Sequence, residues 1–163
     1  MTTQQFGGQV PQSPSPVTPP AHSQESRLLA ACAHLSFLVG FWFVAPIAIY
    51  VIKRKESRFV AFHAMQAAVL HLLFWVGSAV ATGLVMVGSI ILGVSFHANH
   101  GAEIAFSFVA LSPFLIFGLG MMAILGIGAW AAYSAWEGNT WSIPIAGGIA
   151  RRIIAHDDGA AKA

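Results

Sequence analysis

Three stretches of this chain, residues 28–52, 59–102 and 104–136, contain no aspartate, glutamate, lysine or arginine. Each is longer than the ~20 apolar residues that cross a bilayer as a helix. In water such runs would need a polar covering that this chain does not have. Only 9% of its 163 residues are charged, against ~25% in an average soluble domain. With 56% hydrophobic residues and a mean hydropathy of +0.71, the bilayer has to be part of its solvent. The class that follows is an all-α integral membrane protein, because only internally hydrogen-bonded helices or closed barrels survive in hydrocarbon.

The runs divide the chain. Residues 1–26 carry five of the eight prolines among Gln, Ser and Thr; they have little to bury, so a disordered Pro-rich tail is expected. They also lack a basic segment followed by an apolar one, so no cleavable signal is expected. A helical membrane domain follows over 27–155, and 156–163 reads as a disordered tail. The first run, 28–52, predicts one helix of ~37 Å, kinked at Pro46. KRKESR (53–58) is the main basic cluster. The second run is too long for one simple span and predicts an interfacial turn over 59–68 and a crossing over about 69–94. The third predicts a crossing over 104–136, with Pro113 inside it and Trp130, Tyr133 and Trp136 at its exit.

After it, Ser142 reads as a helix cap and Pro144 as a first-turn residue. Ile145, Ile149 and Ile153 then repeat every four residues around Arg151 and Arg152, the pattern of an interfacial amphipathic helix. The expectation is therefore three transmembrane helices and an interfacial C-terminal helix in the bacterial cytoplasmic membrane. By the positive-inside rule, KRKESR and the C-terminus face the cytoplasm, and the N-terminus and the 95–103 connection face outward.

The polar residues inside the runs are the candidates for chemistry. His34 and His71 are expected to make interhelical hydrogen bonds. On antiparallel straight helices, His34 falls ~27 Å from the basic end, His71 ~18 Å and His63 ~6 Å. They therefore do not converge on a metal or haem, and no cofactor is expected. Arg58, His63 and Gln66 cluster at the basic end and could contact a lipid phosphate or a partner's carboxylate. His97 and His100, near Glu103, form at most a loose loop cluster. The single cysteine, Cys32, excludes an intrachain disulfide and reads as a buried small apolar residue. Small residues (Ala79 and Gly83, Ser89 and Gly93, Gly118, Gly120, Gly126 and Gly128) suit close helix packing within the chain or in an oligomer. No acid lies in a span, and no nucleotide, protease or hydrolase motif is present.

RLLAACAHLSFLVGF, the following AP pair, the hinge KRKESRFVAFHAMQA and the late WSIPIAGGIARRI together resemble a family of small bacterial membrane proteins. It is a domain of unknown function similar to the twenty-kilodalton subunit of the chloroplast inner-envelope (Tic) import translocon. The resemblance covers about residues 27–154, with His34, Pro46, Arg58, His63, Gln66 and Pro144 at matching positions. It implies a non-enzymatic scaffold or accessory subunit of a membrane assembly, or alternatively an oligomeric channel or translocation subunit. The partners expected are membrane lipids, with a second copy or another membrane protein possible. The net charge of +2 gives no reason to expect nucleic acid.

Overall fold

The computed structural model describes residues 22–95 and 101–160; these residues contain helices and turns and no strand. The Pro-rich segment up to residue 21 lies outside them. The helices are α1 (Gln24–Leu35), α2 (Val44–Lys53), α3 (Arg58–Ser95), α4 (Gly101–Trp136) and α5 (Ala146–Ala160). At 1.5 Å per residue α3 and α4 are ~57 and ~54 Å long, and both contain apolar windows long enough to cross a membrane.

The first apolar run is not one helix. After α1 the chain takes a 3-10 turn over Ser36–Val39 and ends it at Gly40, which is left-handed (φ 78°). Trp42 also has positive φ (30°), rare for a residue with a side chain. Pro46 then lies in the first turn of α2, where its missing N–H costs little. Gly40 and Pro46 are thus a helix stop and a helix start. α2 returns antiparallel to α1, and Lys53 Nζ reaches Glu25 Oε1 at 3.3 Å. The expected crossing over 28–52 is therefore a helical hairpin. Its arms, ~18 and ~15 Å long, are each shorter than the ~30 Å hydrocarbon core. The beginning of α1 stands at the same end as the KRKESR hinge, not at the opposite end as expected.

The interfacial turn expected over 59–68 is also absent. Ser57 caps α3, its Oγ accepting from Val60 N–H at 3.3 Å. With no Gly or Pro before Gly77, the helix continues unbroken. Its first half is the centre of the molecule. Val60, Ala61, Ala64 and Ala67 are buried among Ala30 and Ala33 of α1, Tyr50 of α2 and Ala135 of α4. Val69, Ala131, Ile143 and Ala146 join α3, α4 and the start of α5. Alanine on every side lets four helices approach the same stretch of α3.

Beyond His71 the surroundings change. Leu72, Val76, Val80, Leu84 and Val87 on α3 and Leu111, Phe114, Leu115, Leu119 and Met122 on α4 are all exposed. Pro113 does not break α4. It cannot donate to Val109 O, and Ser112 Oγ donates to that carbonyl instead, at 2.6 Å. Ser89 Oγ similarly back-bonds to Val85 O at 2.5 Å. Of the described glycines read as packing surfaces, Gly83, Gly118 and Gly126 face open space, whereas a Cβ would meet the Phe74 ring at Gly120 and His34 O at Gly128. Cys32, expected to be buried, is exposed on α1.

The C-terminal helix begins at Ala146, not at Pro144, and runs on to Ala160, through the first five residues of the expected tail. It packs on α3, with Ala146, Gly147 and Ala150 buried. Asp157 and Asp158 hold its far end, accepting from Arg54 Nη1 and Arg58 Nη2, each at 2.6 Å.

Candidate functional site

Around the buried half of α3 lies a set of polar side chains that no charge pattern announces. His63 and Gln66 are fully buried, and His34 and His71 nearly so. His63 Nε2 lies 3.0 Å from Asn139 O, and its Nδ1 lies 3.3 Å from His34 Nε2. A carbonyl only accepts, so His63 Nε2 carries the proton. In the neutral pair His63 Nδ1 then accepts, and His34 Nε2 donates. That leaves His34 Nδ1 as a bare lone pair, buried with no hydrogen-bond partner.

Gln66, one turn further along α3, clamps the segment after α4. Its Nε2 donates to Trp141 O at 3.2 Å, and its Oε1 accepts from Ile143 N–H at 3.1 Å. Gly147 packs against Gln66 Oε1 and Ser142 Oγ so tightly that no side chain fits there. One further turn on, His71 Nδ1 donates to Trp42 O at 3.0 Å, which also accepts from Ser36 Oγ at 3.0 Å. The Trp42 ring stacks on Trp75, with centroids 4.1 Å apart. These contacts hold the strained tip of the hairpin against α3. His63, Gln66 and His71 thus tie three otherwise separate pieces, the α1 end, the post-α4 segment and the hairpin tip, to a single helix.

The residues singled out in the sequence therefore divide. His34 and His71 both make contacts between elements. His34 meets His63 directly, although straight-helix arithmetic separates them by ~21 Å; the difference is the fold-back of α1 and α2. Arg58, His63 and Gln66 do not form one surface. Arg58 is exposed and paired with Asp158, whereas a ligand reaching His63 or Gln66 would first have to displace residues 139–143. His97 and His100 lie outside the described residues. No group of three or more His, Cys, Asp or Glu able to hold a metal occurs among the described residues.

Sequence reasoning missed the carbonyl partners at Asn139 and Trp141, which carry no residue-type signal. It also missed the pairing of α5 with the hinge. Asp157 accepts from Tyr50 Oη at 2.7 Å and from Arg54; these bonds, the tyrosine's first, hold its carboxyl below the usual carboxylate value.

The class defined by this fold is an α-helical membrane protein with two membrane-capable helices and a polar-cemented base formed by a helical hairpin and a C-terminal helix. Residues 25–150, more than three quarters of the chain and reaching from α1 into α5, match the magnetosome magnetite crystal formation protein family (MamF/MmsF). The chain belongs to that family. The match replaces the resemblance to the chloroplast import subunit, and the translocation alternative loses its basis with it. No curated protein and no solved structure matches the chain.

Proposed function

We propose that this protein acts in magnetite crystal formation as a non-enzymatic structural subunit of the magnetosome membrane. In this reading α3 and α4 cross the bilayer. The α1–α2 hairpin enters from one side and returns, in place of the third crossing expected from sequence. The observation that carries it is the segregation of charge. Arg27, Lys53, Arg54, Lys55, Arg58, Arg151 and Arg152, seven of the eight basic residues, gather at the base formed by α1, α2, α5 and the start of α3. By the positive-inside rule that end faces the cytoplasm, and the end of α3 and the start of α4 face the crystal compartment. The polar residues of the core are engaged in holding helices together, the work of a subunit that presents a fixed shape to lipid and protein.

The test is a strain lacking this chain, complemented with the wild type or with Gln66→Ala. Restoration of crystal size by the wild type, with the variant weaker and a tag on α5 exposed to protease on intact magnetosomes, is the expected outcome. Crystals unchanged by the deletion, or a protected tag, would contradict the reading.

A further inference from the structure

Beside the hairpin base, the start of α1 and the end of α4 flank an open cavity of about 420 Å³ lined by His22, Gln24, Arg27, Trp136 and Glu137. Small-ligand sites occupy ~300–1,000 Å³, whereas a water takes ~30 Å³, so the space suits a molecule.

Arg27 sets its chemistry. Its guanidinium lies against Gly138, where a Cβ would stand 3.2 Å from Cζ, Nε and Nη2 alike. Gly138 is left-handed (φ 81°) and carries no side chain to push it away. Arg27 Nε is buried with no hydrogen-bond partner. Among the described residues Lys53, Arg54 and Arg58 are all ion-paired, and Arg27 is not. With Nε buried, the terminal Nη groups are the donors that Arg27 can offer a phosphate in the cavity it lines. His22, stacked on Phe59 at 3.9 Å between centroids, adds a second donor on the same wall.

The α4 side of the cavity carries the other sign. Glu137 offers a carboxylate, and Trp136 offers an indole face, which attracts organic cations. A purely anionic ligand would meet Glu137 unfavourably. A ligand with a phosphate and an ammonium a few bonds apart satisfies both walls. Depth identifies its source: Trp136 ends the apolar helix α4, the level at which interfacial aromatics meet headgroups, and the adjoining Leu28 and Tyr133 are exposed and able to receive acyl chains.

We propose that this cavity binds the phosphoethanolamine headgroup of a membrane phospholipid, the phosphate on Arg27 and His22 and the ammonium on Glu137 and Trp136. The full chain, purified and delipidated, would be given equal amounts of phosphatidylethanolamine, phosphatidylglycerol and phosphatidylcholine and examined by native mass spectrometry. The expected result is preferential retention of phosphatidylethanolamine. Arg27→Gln should lower its retention at least about tenfold. Glu137→Gln, at an exposed position and so harmless to folding, should abolish the preference over phosphatidylglycerol. Equal retention of the three lipids by the wild type, or an unchanged preference in Glu137→Gln, would overturn the proposal. Binding of soluble phosphoethanolamine as tight as that of the lipid would overturn its assignment to a membrane phospholipid.

Discussion

The two halves of the long helices solve the same problem by different means. In the basal half, from Arg58 to His71 of α3 and Ala131 to Trp136 of α4, four helices surround α3, and the buried positions combine seven alanines and Phe59, Val60 and Val69 with the polar side chains of His63, Gln66, His71 and Ser134. In the distal half α3 and α4 run on with Leu, Val, Met and Phe turned outward, Leu84 being 70% and Phe114 76% exposed. The base is specified by hydrogen bonds, each with a named partner. In the proposed reading the distal half takes its order from lipid contact and the α3–α4 seam. Apolar surface in a membrane protein marks where lipid goes; the polar residues mark where the fold is decided.

That contrast can be broken from either side. The largest effect is expected from Gln66→Ala, which strips partners from Trp141 O and Ile143 N–H in a buried place. The loss should be about 3 kcal/mol, read by unfolding in mixed detergent micelles, with the 139–146 segment becoming open to protease. Gly147→Ala should come next, at about 2 kcal/mol, because a methyl there collides with Ser142 and Gln66; relief by a second substitution, Ser142→Gly, would show that the collision is the cause. A smaller effect concerns Asp157. Its folded carboxyl is held below its unfolded value of ~3.9, so its contribution is present above that value and is lost as pH falls through the folded one. Proteolysis at Arg151 and Arg152, followed from neutral pH into the acid range, should show α5 loosening at the acid end. Asp157→Asn should be looser throughout, with less pH dependence. The smallest effect is expected from Leu84→Ala, below about 0.5 kcal/mol, since its side chain faces lipid in this account whether or not the base is folded. A large loss there would mean that the distal half is packed against something and that the contrast is wrong.

The sequence made parts of this legible. The uncharged runs marked an all-helical membrane chain, and the aromatic residues before Glu137 marked the end of α4 at Trp136. The hairpin was also written in the chain, as a glycine stop at Gly40 and a proline start at Pro46. The unbroken hydropathy of 28–52 outweighed that signal, because length and apolarity cannot distinguish a crossing from a return. The end of α5 was illegible for a different reason. Its last turns stand on bonds from Asp157 to Tyr50 and Arg54, and from Asp158 to Arg58, about a hundred residues away in sequence. The meeting of His34 and His63 likewise depends on the fold-back and could not be read from spacing on straight helices.

Glu25 and Lys53, at the open end of the α1–α2 hairpin, report on the fold-back itself. In a Cys32→Ala background, Glu25→Cys and Lys53→Cys would be introduced together and treated with a short bismaleimide in native membranes. The hairpin predicts efficient cross-linking within one chain, because the native side chains are 3.3 Å apart. A single helix crossing the bilayer would hold the two positions ~42 Å apart, and the absence of any intramolecular cross-link, with both cysteines shown to react, would contradict the account.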